Sequence, residues 1–157
     1  MLASDGEAIS GLWFEGQKYF PGSLVRRAPQ RPLPIFDEAI CWLDIYFSGR
    51  QPDFTPKLGL YGTPFRNIVW DILLTIPYGR TTTYGEIART AAHKLGLAHM
   101  SAQAVGGAVG HNPISLMVPC HRVIGADGSL TGYAGGLEKK LCLLRLEGAD
   151  TSPFHLP

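Results

Sequence analysis

Three adjacent residues, Cys120, His121 and Arg122, combine a nucleophile, a base and a cation. They follow Pro119 at the end of the apolar run 114–118, where the chain turns and a sulfur can face a pocket. An imidazole and a guanidinium beside a thiol are surroundings that lower its pKa. Because neighbouring side chains point in different directions, contact between sulfur and imidazole needs a turn or a bridging water. The tripeptide alone therefore supports two interpretations of Cys120 equally, a reactive cysteine and a structural one.

The other two cysteines, Cys41 and Cys142, lie in apolar stretches, so we predict that both are small buried hydrophobic residues. Three cysteines without a Cys-x-x-Cys spacing argue against a disulfide framework and against a four-ligand zinc site. We therefore expect no metal and no cofactor.

The chain has 157 residues, which is enough for one main core. Its net charge of +1 argues neither for nor against a nucleic-acid partner. Between residues 77 and 122 four basic residues face one acidic residue, a mild bias that a solvated surface explains equally well. No apolar run nears the roughly 18 residues that cross a bilayer, and residues 1–10 carry acidic residues where a signal peptide has cations and an apolar stretch. We expect a cytoplasmic protein without a membrane partner.

The N-terminal part predicts short strands within residues 8–20 and an amphipathic helix before Gly49. Its apolar stripe is expected to comprise Phe36, Ile40, Leu43 and Phe47. Prolines in the stretch 51–63 are typical of a linker. We therefore divide the chain into an N-terminal lobe with linker, 1–60, and a C-terminal domain, 61–157.

Three helices are predicted next. The first starts at Thr63-Pro64 and stops at Pro77, and the second has the Thr83/Glu86 capping box and stops at Gly96. The third runs from Ser101 to Gly110. Two short helices joined by a turn indicate either a helix-turn-helix or a packed helical hairpin.

Gly106 and Gly107 interrupt the third of these helices at a cost of about 1 kcal/mol each relative to alanine. Close approach of another backbone would explain them, either a neighbouring helix or a nucleic acid. After this helix we predict a short buried strand over 114–118, a glycine-rich loop over 125–136 and a final helix over 137–146.

Five motifs in this order closely resemble the O6-alkylguanine-DNA alkyltransferases, the methylated-DNA–protein-cysteine methyltransferases. They are IPYGRTTTYGEIA at 76–88, GHNP at 110–113, PCHRV at 119–123, GYAGG at 132–136 and LEG at 146–148. The similarity runs from about residue 46 to residue 148, whereas residues 1–33 diverge. The resemblance implies an α/β fold: a small N-terminal lobe with an antiparallel sheet, and a mostly helical C-terminal domain containing a helix-turn-helix.

The resemblance also implies a mechanism. Cys120 would attack the alkyl group on guanine O6 and keep it as a thioether. His121 would take the thiol proton through a water and Glu147 would orient His121. Asn112 would brace the turn, and Tyr84 would donate a proton to the base. Judged without the resemblance, Glu147 would be a solvated helix-end residue and Tyr84 a core aromatic with its hydroxyl at the surface.

The substrate implied is double-stranded DNA carrying O6-alkylguanine, with O4-alkylthymine as a further candidate, and the damaged base must be extruded from the duplex. The residues implied to bind the base are Val118, Pro119, Val123, Tyr133 and Ala134. Those implied to contact DNA in the minor groove are Gln103, Ala104, Gly106, Gly107 and Arg122. At Gln103 the family usually has an intercalating arginine. We expect the protein to act as a monomer.

Two other functions stay open at this stage. A module that recognises alkylated bases without transferring the group would tolerate replacement of Cys120. A cysteine hydrolase using Cys120 and His121 would turn over an acyl substrate, although the sequence offers no obvious oxyanion hole.

Overall fold

The computed structural model describes residues 1–156, with the backbone alone at 24–26; Pro157, the last residue of the predicted C-terminal domain, lies outside the described residues. The elements in chain order are β1 Leu2–Ser4, β2 Ile9–Leu12, α1 Gly22–Arg27, α2 Pro34–Phe47, α3 Pro64–Leu74, β3 Thr82–Thr83, α4 Tyr84–Lys94, α5 Ala102–Gly110, a 3-10 helix Cys120–Arg122, β4 Val123–Ile124 and α6 Leu137–Leu146.

The N-terminal lobe contains the small antiparallel sheet that the resemblance implies. Strands β1 and β2 pair with Leu2 opposite Leu12. Strand β2 also makes single bridges to Leu58, in the linker, and to Ile114, beside the cysteine motif. The lobe is therefore joined by main-chain hydrogen bonds to the segment that leads to Cys120.

Helix α2 buries a different face from the predicted one. The buried residues are Ala39, Trp42 and Tyr46, whereas Ile40 is 48% exposed and Phe47 is 52% exposed. The prediction holds for Phe36 and Leu43, which are partly buried against the core, and is wrong for Ile40 and Phe47. Apolar side chains occur on both sides of this helix, and the larger rings of Trp42 and Tyr46 occupy the core.

The prediction that Cys41 and Cys142 are buried is also wrong, because both are exposed. Each lies on a helix, α2 or α6, at a position that faces solvent although its sequence neighbours are apolar. A run of adjacent apolar residues on a helix points in several directions, so only some of its members reach the core.

The predicted helix starts are confirmed. Thr63 accepts a hydrogen bond from the Arg66 amide at the start of α3, and α4 begins with the reciprocal capping box of Thr83 and Glu86. Helix α5 begins after Ser101, whose side chain accepts from the amide of Gln103. Helices α3, α4 and α5 pack against one another.

The two glycines of α5 have different surroundings. A Cβ added to Gly106 would meet the Tyr84 ring at 3.9 Å, an ordinary contact, and one added to Gly107 would meet none of the described residues within 4 Å. A neighbouring helix therefore does not account for Gly107, which lies exposed on the outer face of α5.

The predicted strand over 114–118 is instead a buried turn. Ile114 forms one bridge to Leu12, and the amide of Val118 donates to the Ile114 carbonyl at 3.0 Å. Leu116 has a positive φ of 70°, which a strand does not allow. An apolar run indicates burial but does not by itself distinguish a strand from another buried conformation.

One hydrophobic core includes residues from both predicted domains: Ile9, Leu12, Trp42 and Tyr46 from the N-terminal part, and Val69, Leu73, Val105, Val118, Cys120 and Val123 from the C-terminal part. The boundary near residue 61 stays a prediction. The core packs the turn at Cys120 against α2, and this packing positions the residues of the site described next.

Candidate active site

Cys120 begins the 3-10 helix directly after the buried turn and is 5% exposed. The side chain of Asn112 holds this turn. Its Nδ2 donates to the Val118 carbonyl at 2.7 Å and lies 3.1 Å from the Cys120 Sγ, while its Oδ1 accepts from the Ile114 amide at 3.0 Å. The bracing expected of Asn112 thus has a concrete geometry, and one of its bonds ends on the sulfur itself.

His121 is fully buried, and its Nε2 lies 2.7 Å from the Glu147 Oε1. Burial lowers the pKa of His121 and outweighs the opposing effect of Glu147, so the imidazole is neutral. A carboxylate accepts hydrogen bonds, so Nε2 carries the ring proton and Nδ1 carries the lone pair. Nδ1 has no hydrogen-bond partner among the described residues. This arrangement leaves Nδ1 able to accept a proton.

Glu147 is buried and is not the solvated residue that the sequence alone suggested. Its carboxylate accepts hydrogen bonds from the Tyr46 hydroxyl, His121 Nε2, Arg122 Nε and Nη2, and the Gly79 amide, at 2.7–3.0 Å. Burial by itself would raise the pKa of Glu147, but the hydrogen bonds from His121 and Arg122 outweigh it and lower the pKa to about 2. Glu147 is thus an anion at neutral pH, hydrogen-bonded to the His121 imidazole.

The side chain of Arg122, which was expected to contact DNA, points towards Glu147. Its guanidinium forms a two-pronged pair with Glu147, and its Nη1 donates to the Ile76 carbonyl at 2.6 Å. The residue is 8% exposed, and its guanidinium is the paired cation that the buried Glu147 carboxylate requires. Contact between Arg122 and DNA stays a prediction.

The thiol pKa also differs from the first expectation. Burial raises the pKa of Cys120, and this effect exceeds the lowering by Asn112 and by the charge of Lys140. The two neighbours that were expected to lower it, His121 and Arg122, are turned towards Glu147. The thiol is therefore protonated at neutral pH and needs a base before it can attack.

A cavity of about 260 Å³ is linked to this centre through Tyr133, whose ring centroid lies 6.5 Å from that of His121. It is lined by Lys18, Tyr19, Gly106, Gly107, Gly110, Gly132, Tyr133, Ala134 and Leu137. Burial raises the pKa of Tyr133, and its hydroxyl is buried without a partner among the described residues. Of the predicted base-binding residues, Tyr133 and Ala134 line this cavity, whereas Val118, Pro119 and Val123 are buried next to Cys120.

The predicted proton donor, Tyr84, lies at the start of α4. Its hydroxyl donates to the Thr131 carbonyl at 3.0 Å, and burial raises its pKa to about 12, so the proton is retained. Gly132, with a φ of +76°, has no room for a Cβ, which would lie 2.5 Å from this hydroxyl. On the neighbouring α5, Gln103 and Ala104 are exposed.

Sequence reasoning missed three contributors. Tyr46 and Gly79 donate to Glu147 from α2 and from the loop before β3. Lys140 is fully buried, its Nζ donates to the Thr131 carbonyl at 2.6 Å, and burial lowers its pKa to about 8. Gly79 lies inside the motif at 76–88, so the sequence contained a signal for it. Tyr46 and Lys140 have no such signal, because their sequence surroundings are those of ordinary helix residues.

Among the described residues there is no group of three or more His, Cys, Asp or Glu side chains placed to hold a metal ion. In the same part of the chain, no helix has the length and apolar character needed to cross a membrane.

Comparison with known proteins agrees with this geometry. Residues 64–149 match the profile of the 6-O-methylguanine DNA methyltransferase, DNA binding domain. The methylated-DNA–protein-cysteine methyltransferase of Mycobacterium leprae is 48% identical over 94% of this chain and 84% of its own length. That of Mycolicibacterium paratuberculosis is 53% identical over 93% of this chain and 84% of its own length.

The fold is matched as well. The crystal structure of Mycobacterium tuberculosis OGT in complex with DNA is 44% identical with a TM-score of 0.78, covering 98% of this chain and 86% of that one. The resemblance that the motifs predicted is confirmed over nearly the whole length, and this chain belongs to the family of methylated-DNA–protein-cysteine methyltransferases.

Proposed function

We propose that this protein repairs DNA by transferring the alkyl group of O6-alkylguanine to the Sγ of its own Cys120. The observation that carries the proposal is the arrangement of Cys120 and His121. The sulfur is held by Asn112, and the adjacent neutral imidazole is fixed by Glu147 so that its unpartnered Nδ1 is the basic nitrogen.

The reaction begins with the thiol proton, which passes to His121 Nδ1 through a bridging water. The imidazolium that results is stabilised by the Glu147 carboxylate at 2.7 Å. The Sγ then attacks the alkyl carbon in line: the S–C bond forms, the C–O6 bond breaks, and the electron pair stays on the guanine. No group in the site hydrolyses a thioether, so each chain reacts once.

The leaving guanine needs a proton or a hydrogen bond as charge returns to its ring. Tyr84 is the donor in this proposal, because its hydroxyl keeps its proton at neutral pH and lies beside the cavity. To reach base N3, this hydroxyl exchanges the Thr131 carbonyl for the base. The same carbonyl retains its bond from Lys140, which keeps the loop in place.

Tyr133 and Ala134 would hold the base itself. Tyr133 supplies a wall of the cavity, and the Ala134 amide would face O6. The carbonyls of Cys120 and Val123 would accept from the exocyclic amine. Main-chain recognition of a flat base requires close approach, which the neighbouring Gly132 permits.

The partner in this proposal is duplex DNA with the alkylated guanine extruded, bound through the minor groove by a monomer. Helices α4 and α5 would form a helix-turn-helix, with the exposed Gln103, Ala104 and Gly107 towards the groove. An exposed glycine without neighbours on the protein side supports a close approach by the DNA backbone.

The decisive experiment is intact-mass measurement after incubation with duplex DNA carrying O6-methylguanine, with Cys120→Ser as the control. We expect one added methylene per chain, located at Cys120 and absent from the control. No mass change despite selective binding would indicate a recognition module instead. Continued turnover with an unmodified cysteine would indicate a hydrolase.

The DNA-binding face gives a second prediction. Gln103→Arg should tighten binding to duplex DNA by about 3- to 10-fold at low salt and make the affinity more dependent on salt, because the added cation displaces counterions from the phosphates. Titrations at several salt concentrations measure both effects. Gln51→Arg, which adds the same charge in the linker, is the control; equal effects of the two variants would contradict a groove-facing Gln103.

A further inference from the structure

The segment between β2 and α1 extends from the N-terminal lobe to Ser115 and to the loop that carries Ala134. The Oε1 of buried Gln17 accepts from the Phe14 amide at 2.9 Å and from the Ser115 hydroxyl at 3.3 Å. One residue later, the Lys18 amide donates to the Ala134 carbonyl at 3.0 Å. The segment is thus attached to the buried turn that precedes Cys120 and to the loop that recognises the base.

Tyr19, which is 52% exposed, lies at the end of this attachment. Its ring stacks on His111 with centroids 4.1 Å apart and planes inclined by 23°. His111 is itself fixed, because its Nδ1 lies 2.7 Å from the Gly107 carbonyl of α5. The Lys18 ammonium lies 5.1 Å from the Tyr19 ring centroid. Tyr19 also has a φ of +64°, uncommon for a residue with a side chain, so the backbone conformation directs the ring to this place.

Lys18 and Tyr19 line the cavity whose other walls are α5 and the loop carrying Tyr133 and Ala134. Its volume of about 260 Å³ is below the roughly 300–1,000 Å³ of pockets that enclose drug-sized ligands. A purine with a one-carbon substituent suits such a space. A purine with an aromatic substituent requires that a wall give way.

We infer that Tyr19 is a specificity-determining residue, whose ring limits the size of the O6 substituent that Cys120 accepts. The inference rests on the proposed function and adds a contribution of the N-terminal lobe to it. If the Tyr19 ring moves, its stack on His111 and its contact with the Lys18 ammonium are lost. We therefore expect a large substituent to displace the ring and a methyl group to leave it in place.

The test compares second-order rate constants for modification of Cys120 by duplex DNA carrying O6-methylguanine or O6-benzylguanine, followed by intact mass. Tyr19→Gly removes the ring and suits the positive φ, so the backbone is not strained by the change. We expect the benzyl-to-methyl ratio of rate constants to rise by about 10-fold or more, a typical effect of changing the size of a binding pocket. Tyr19→Phe, which keeps the ring, should leave the ratio unchanged.

Tyr61→Gly is the matched control, because Tyr61 is 73% exposed and is not among the residues that line the cavity. A ratio that stays constant in Tyr19→Gly, or that rises equally in Tyr61→Gly, would overturn the inference. Absence of methyl transfer by the protein without substitutions would overturn the proposed function itself. That result comes from a different sample than the variants, so the two failures are distinguishable.

Discussion

Replacing Glu147 with glutamine should slow alkyl transfer to Cys120 by about 10²- to 10⁴-fold, comparable to the loss of the orienting carboxylate in other base triads. The amide cannot accept from all five donors that converge on the carboxylate. His121 then loses the partner that fixes its proton on Nε2, and with it the basic Nδ1. Single-turnover rates with DNA carrying O6-methylguanine measure the effect.

The same variant should be less stable by about 3–5 kcal/mol, because it leaves the buried Arg122 guanidinium without a counter-charge. The effect should depend on pH. The pKa of Glu147 lies below its ordinary value of 4.5, at about 2, so its contribution is present above pH 4.5 and is lost as the pH falls towards 2. Urea unfolding at neutral and acid pH should therefore give curves for the two proteins that converge in acid.

Glu138→Gln, an exposed change in the first turn of the same helix, is the control for Glu147→Gln. It should alter neither rate nor stability appreciably. A Glu147→Gln protein that reacts within threefold of the unmodified rate would contradict the assignment of His121 as a base oriented by Glu147.

Replacing Asn112 with aspartate should slow transfer by at least about 100-fold, since misplacing a reacting group by an ångström has an effect of this size. The carboxylate keeps the acceptor for the Ile114 amide but loses both donor contacts of Nδ2, to the Val118 carbonyl and the Cys120 Sγ. It also places an anion beside the sulfur, which disfavours the thiolate and raises the pKa of Cys120 further.

The pH dependence of the Asn112→Asp rate separates this role from a structural one, because a raised thiol pKa moves the rise of the rate to higher pH. Asn67→Asp is the matched control: the Oδ1 of Asn67 accepts from the Gly62 amide, and aspartate retains that acceptor. An Asn112→Asp protein with lowered stability but an unchanged pH profile would show that Asn112 supports the turn without acting on the sulfur.

Local signals predicted the helix starts well. Thr63, Thr83 and Glu86 define helix starts because their side chains satisfy amides in their own first turns, a short-range effect that the sequence contains. The order of motifs likewise placed Asn112, Cys120 and His121 in one constellation, and the structure brings them together.

Signals that depend on packing were read less well. In α2 apolar residues occur on more than one face, so the choice of the face with Trp42 and Tyr46 depended on the shape of the core. The apolar run 114–118 predicts a strand, yet its conformation is set by the contacts of Leu12 and Asn112. An apolar run predicts that a segment is buried, whereas the residues packed against the segment determine its backbone conformation.

What the sequence by itself determined was therefore the family and the candidate nucleophile and base, Cys120 and His121, because these residues are adjacent or lie in contiguous motifs. The tertiary structure decided the electrostatics. Glu147 becomes a buried anion only when Tyr46, Gly79 and Arg122 converge on it from three separate segments. The pKa values of Cys120 and His121 follow from burial and not from the charges of their sequence neighbours. Desolvation and hydrogen bonding act through space, so they are fixed only when distant segments pack together.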